Sequence, residues 1–145
     1  MTALRIIVAD DHEVVRRGVK ALLETQAGWQ VIGEASGGLD AIEKALQLRP
    51  DIVVLDVNLP DLDGIEAGRR IRETIPETEV LTLTYFDSPF LVRKALEAGI
   101  QGYVLKSDAG RDLLAGVIAV SQHKLFLSSK VSPDIPGDAD HESDR

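Results

Sequence analysis

Two aspartates stand side by side at positions 10 and 11, where the apolar run LRIIVA (residues 4–9) stops. A third, Asp56, ends the aliphatic run DIVVLD, and a hydroxyl (Thr84) and an ammonium (Lys106) end two more such runs. Any one of them, at the exit of a strand, is ordinarily a solvated loop group or a helix cap. Brought together by a fold, they make a specific chemistry. Carboxylates about 5 Å apart repel by roughly 3 kcal/mol at an effective dielectric near 20. Three acids in one place therefore raise their pKa values or recruit a cation, and Lys106 offsets one charge only. An all-oxygen donor set suits a hard divalent ion, Mg2+ with Mn2+ as its substitute, which takes one or two carboxylates and keeps several waters. Such an ion lets a phosphoryl group approach an otherwise repulsive pocket. A carboxylate can then attack phosphorus in line.

That convergence depends on the elements. The run 4–9 reads as a first strand, and Val14, Val15, Val19, Leu22 and Leu23 recur at helical spacing over about 12–25. WQVIGEA (29–35) predicts a second strand, and Ala41, Ala45, Leu46 and Leu48 a second helix stopped by Pro50. DIVVLD (51–56) has the continuous aliphatic character of a strand buried on both faces. Ile65, Gly68, Ile71 and Ile75 mark a third helix ended by Pro76, followed by a strand at EVLTLT (79–84). SPFLVRKALEAG (88–99) opens on Ser-Pro and closes on Gly, the start and stop signals of a helix. GYVLK (102–106) and DLLAGVIAVSQ (112–122) complete the set.

Short β runs alternating with helices predict an α/β fold with a parallel sheet. Five strands are too few for a closed eight-stranded barrel. The expectation is a flavodoxin-like doubly wound (βα)5 sheet, strand order 2-1-3-4-5, with helices on both faces. Ligands in such sheets bind at the carboxyl ends of the strands, near the switch point between strands 1 and 3. Strands 1, 3, 4 and 5 end in Asp10-Asp11, Asp56, Thr84 and Lys106, whereas strand 2 ends in Glu34-Ala35, which suggests no site.

Composition bounds the rest. The chain has 145 residues, 44% of them hydrophobic, enough for one core. It has no cysteine, hence no disulfide framework, thiolate metal site or Cys nucleophile. Three scattered histidines (12, 123 and 141) argue against a His-based zinc site. No apolar run reaches the ~20 residues of a membrane span, and the start lacks a signal-peptide pattern, so the expectation is a cytoplasmic protein without membrane contact. A net charge of −8 argues against a general nucleic-acid-binding surface. Half of that excess lies after Ser132, where five acids accompany one base and Pro133, Pro136 and Gly137. Residues 1–125 are therefore expected to fold, with 126–145 as a flexible acidic tail or linker.

The stretches IIVADDHEVVRRGVKALLE, DIVVLDVNLPDLDGIEAGRRIR and VRKALEAGIQGYVLKS span residues 5–107. They resemble the receiver domain of two-component response regulators, NarL/FixJ (LuxR-type) subfamily. The resemblance implies that Asp56 accepts a phosphoryl group from a sensor histidine kinase. It implies that Asp10, Asp11 and Asp56, with the backbone carbonyl of Asn58, hold Mg2+, and that Lys106 pairs with the phosphoryl oxygens. Thr84 would be the switch hydroxyl and Tyr103 the aromatic that turns inward with it. Pro60 and Gly64 match the turn after the phosphoacceptor, where glycine lets the loop close. The family also implies a signalling domain whose own catalysis is limited to self-phosphorylation and self-dephosphorylation. Its surface around the fourth and fifth helices would switch, and a homodimer would form through the fourth helix, fifth strand or fifth helix. The output would be a helix-turn-helix domain that alone contacts DNA and is not in this chain.

Two positions depart from the pattern. Tyr85 is large where the family is often small, and implies altered access to the phosphoryl group. Ser107 stands where many receivers have proline, which leaves the geometry of the Lys106–Ser107 bond open. Other readings exist. A stand-alone receiver would act by protein contacts alone. A haloacid-dehalogenase-like phosphatase would need a second Asp two residues after the nucleophile as general acid/base, where Asn58 stands. A flavodoxin-like binding module would want amides and hydroxyls, not acids, in the first turn.

Overall fold

In the computed structural model, which describes residues 3–131, the apolar runs become a parallel sheet sandwiched between helices. The elements are β1 (Leu4–Ala9), α1 (Glu13–Leu23), β2 (Trp29–Ala35), α2 (Gly38–Leu48), β3 (Ile52–Leu55) and α3 (Gly64–Thr74). They continue with β4 (Glu79–Thr84), α4 (Pro89–Glu97), β5 (Gly102–Leu105), α5 (Ala109–Ser121) and β6 (Phe126–Leu127). Strand order is 2-1-3-4-5-6 with every pairing parallel, so the expected 2-1-3-4-5 core is present with one strand more.

Strand alternation divides the core in two. Ile7, Val53, Leu55, Val80 and Tyr103 face the side covered by α2, α3 and α4. Ile6, Val8, Val54, Leu81 and Val104 face α1 and α5. Both faces of the central strands are buried, which explains their lack of polar alternation. Each fully buried Leu, Ile or Val side chain contributes about 1.5–3 kcal/mol relative to exposure.

Helix boundaries follow local chemistry. The Asp63 carboxylate accepts from Ile65 N–H (3.3 Å) to start α3, and the Ser88 hydroxyl accepts from Leu91 N–H (3.3 Å) to start α4, with Pro89 in its first turn. Gly99, at φ +87°, turns the chain out of α4.

A sixth strand lies just past the boundary expected at residue 125. Phe126 and Leu127 pair with Gly102 and Tyr103. Phe126 N–H donates to the Gln101 carbonyl and Ser128 N–H to the Tyr103 carbonyl, both at 2.9 Å. The Ser128 hydroxyl accepts from Leu105 N–H (3.0 Å), and Val131 is buried against the α4 side. Folded chain therefore continues through the last described residue. The remainder of the expected acidic tail, 132–145, lies outside the described residues.

Candidate functional site

Register brings the acids together. β1 and β3 are aligned so that Ala9 faces Leu55, and Asp10 and Asp56 follow at the next step on adjacent strands. Asp56 N–H donates to the Ala9 carbonyl (3.0 Å) and Asp10 N–H to the Ala35 carbonyl (3.0 Å), which pins both strand exits. On the other side, Thr84 pairs with Leu105, so Lys106 emerges beside it.

Lys106 crosses from β5 to the acids. Its Nζ donates to Asp10 Oδ2 at 2.7 Å and to Asp56 Oδ2 at 3.0 Å. The three side chains are only 4–6% exposed. Burial drives the Asp56 carboxyl above its ordinary range, assisted by Asp10 and opposed by Lys106 and by Asn58 N–H. Burial also works against the charged Lys106, but its bonds to Asp10 and Asp56 outweigh this and hold the ammonium above its ordinary value. Two buried carboxylates thus share one ammonium, and the pocket is short of positive charge.

Asp11 lies at the more exposed mouth, and His12 stands over both acids. Its ring Nδ1 is 3.3 Å from Asp10 Oδ1 and 3.1 Å from Asp11 Oδ1. One ligand atom each from Asp10, Asp11, His12 and Asp56 lies within 4.8 Å of the others. This donor set, mostly carboxylate oxygens and without sulfur, fits a divalent cation. Asn58 sits at the same mouth, its N–H donating to Asp56 Oδ1 (3.2 Å).

The remaining site residues surround this centre. Thr84 is fully buried, and its hydroxyl accepts from Phe86 N–H (3.4 Å). Tyr103 is already inside the fold, and its hydroxyl donates to the Phe86 carbonyl (2.7 Å). Burial first, then Asp87 and Asp56, push that phenol up to about 12, so it stays a donor. Both side chains therefore grip one residue of the β4–α4 loop. Tyr85 is 67% exposed, its ring centroid 5.1 Å from Lys106 Nζ, within range of a cation–π contact. A Cβ at Gly64 would overlap the Asp56 carbonyl oxygen, which is why glycine follows the turn there. Among the described residues no peptide bond is cis: Lys106–Ser107 is trans and leads through a short 3-10 turn into α5.

Sequence reasoning missed two supports. Besides His12, it passed over Arg16, whose guanidinium donates to the Asp10 carbonyl (2.8 Å) and to Glu34 Oε1 (2.9 Å). Glu34, at the end of the strand that suggested no site, thus anchors the acidic turn through Arg16. No periodic pattern signals a bond between residues 18 apart in sequence.

Residues 6–118 match the response regulator receiver domain family. The chain is 38% identical over 128 residues to the response regulator protein VraR of Staphylococcus aureus, covering 88% of this chain and 61% of that protein. It therefore spans less than two thirds of the curated relatives it matches. A LuxR-family two-component response regulator from Aurantimonas superposes with a TM-score of 0.85 at 34% identity, over 99% of this chain and 100% of that one. The isolated REC domain of RcsB from Salmonella enterica serovar Typhimurium, in the presence of phosphomimetic BeF3−, gives 0.82 at 28% identity over 90% and 96%. With the parallel sheet and its acidic switch point, these likenesses place the chain in the response regulator receiver domain family, on its LuxR/NarL side.

Proposed function

We propose that Asp56 is the phosphoacceptor of this receiver, taking its phosphoryl group from a sensor histidine kinase. The observation that carries this is the pairing of Asp56 with Lys106 at the strand ends, with Asp10 on the same ammonium. A carboxylate oxygen of Asp56 attacks phosphorus, forming the acyl phosphate as the bond to the donor's leaving group breaks. Lys106, held cationic, offsets charge on the transferring oxygens. Asn58 N–H steadies the other carboxylate oxygen. Asp10, Asp11, Asp56 and the Asn58 carbonyl would hold Mg2+, which neutralises phosphoryl oxygens when bound.

Thr84 is the switch hydroxyl: its oxygen accepts from Phe86 N–H, its O–H can donate to a new anion, and Tyr103 follows through the same loop residue. Asn58 carries no transferable proton at the position a phosphatase would need an acid. In the cell the domain works in the cytoplasm, where its helices around α4 and α5 report to a DNA-binding output domain or to a second copy. The β5 edge is taken by β6, which favours α4 or α5 over the strand as the dimer face. The bond from Leu105 to Ser128 and the burial of Val131 favour a receiver unit that extends beyond the expected 1–125 to Val131.

Incubation with Mg2+ and acetyl phosphate, read by intact mass, tests the proposal. One phosphoryl adduct is expected, and none in Asp56→Asn. An adduct that persists in Asp56→Asn, or its absence with both acetyl phosphate and a kinase donor, overturns it.

A further inference from the structure

The two oxygens of the Asp10 carboxylate serve different partners. Oδ2 belongs to Lys106, which also takes Oδ2 of Asp56. Oδ1 belongs to His12, whose backbone N–H donates to it at 2.8 Å and whose ring Nδ1 lies 3.3 Å away. The same ring nitrogen is 3.1 Å from Asp11 Oδ1. His12 is 65% exposed, yet its Nδ1 is turned toward the acids. The backbone bond fixes where the ring can swing, since Asp10 is held at the buried strand exit. An imidazole nitrogen is thus built into the rim of a pocket whose other candidate ligand atoms are carboxylate oxygens.

We infer that His12 is a nitrogen ligand of this pocket, making it a mixed N/O site selective for first-row transition ions such as Ni2+ or Zn2+. The inference rests on the reading of Asp10, Asp11 and Asp56 as the cation-binding acids. Its chemistry follows from donor preference. Imidazole suits Zn, Cu, Fe and Ni, whereas Mg2+ demands oxygen and gives up its waters reluctantly. Any N/O pocket favours later first-row ions to some degree. What His12 adds is a part of that preference that disappears with its ring. Mg2+ would use the carboxylates and leave the imidazole aside. A transition ion would take Nδ1 together with Asp10 and Asp11, in place of the contacts that now join them.

The alternative for His12 is a simple counter-ion to the acid pair. That role would be indifferent to which cation arrives. Removing the ring would then shift the affinities for all divalent ions in the same direction.

Calorimetric titration of the full chain with Mg2+ and, separately, Ni2+ separates the two, for the wild type, His12→Ala and Asp10→Asn. His12 is exposed, so its replacement leaves the fold intact, as a thermal melt will verify. The expected result for His12→Ala is Ni2+ binding weakened about tenfold or more, with Mg2+ binding within about twofold of wild type. In nitrogen-15 spectra of the wild type, Zn2+ should shift the His12 Nδ1 resonance and Mg2+ should not. Equal changes for both ions, or no change for either, overturn the His12 assignment while Asp10→Asn still abolishes Mg2+ binding. If Asp10→Asn binds both ions as wild type does, the underlying cation-site reading fails instead.

Discussion

Asp56 is held where its charge is unwelcome. Burial raises its carboxyl pKa in the folded chain, Asp10 adds to this, and Lys106 offsets only part. A raised folded-state value means that the folded chain retains a proton that the unfolded chain has lost. Stability therefore falls as pH rises from the ordinary carboxylate range through the folded value, and at neutral pH the ionised Asp56 is a burden. Asp56→Asn removes that ionisation while Lys106 keeps Asp10. The variant should melt higher than wild type at neutral pH by roughly 2–4 °C, or about 1 kcal/mol in a domain of this size. The gap should narrow as pH drops toward the carboxylate range. Melts across that window that show no gap, or one widening toward acid, would contradict this account. Tyr85 makes a second residue-scale case. Its ring stands by the Lys106 ammonium, where it would screen the acyl phosphate proposed on Asp56 from water. Loss of the phosphoryl group should be severalfold faster in Tyr85→Ala, followed by intact mass after removal of the donor. An unchanged rate rejects the screening role.

At the scale of elements, β6 is the strongest departure from what the sequence expresses. Its two residues are too short for any periodicity, so FL at 126–127 merges with the polar tail that follows. Ser128 and Val131 are buried all the same. A chain ending at residue 125 loses the Phe126 and Ser128 N–H bonds to β5, the Ser128 bond to Leu105 and the cover of Val131. At about 1 kcal/mol per bond and up to about 2 for the apolar cover, the loss should be roughly 3–5 kcal/mol. Urea unfolding of chains ending at 125 and at 131 measures it, and equal midpoints would show that β6 adds nothing. β1, β3, β4 and β5 were legible because each buries a mostly apolar run, and the acids because topology turns strand ends into neighbours. α5 starts at Ala109, earlier than the apolar pattern at 112, since Ala109, Gly110 and Arg111 carry no such signal. Arg16, Glu34 and His12 stayed hidden for a related reason. They act through polar contacts set by the fold, which leave no mark on the spacing of apolar residues.

Across the whole molecule, the sheet separates two sets of helices, and the site is tied to them by different contacts. On the α4 side, Phe86 offers its N–H to Thr84 and its carbonyl to Tyr103, and two residues later Ser88 caps α4. The exposed Phe90 follows, with Arg93 and Lys94 over its ring. On the α1 side, Arg16 clamps the Asp10 carbonyl to Glu34, a contact that a new anion on Asp56 does not need to break. A phosphoryl group that recruits the Thr84 hydroxyl would therefore loosen Phe86 and act on α4, leaving α1 and β2 as they are. Hydrogen exchange with Mg2+ and BeF3− should alter protection over 85–98 and leave 13–35 within error. Thr84→Val retains the shape of the side chain without its hydroxyl. It should still bind BeF3−, seen by fluorine resonance, while the change over 85–98 is lost. Equal changes on both sides of the sheet, or an undiminished response in Thr84→Val, would mean that the signal leaves the site by another route.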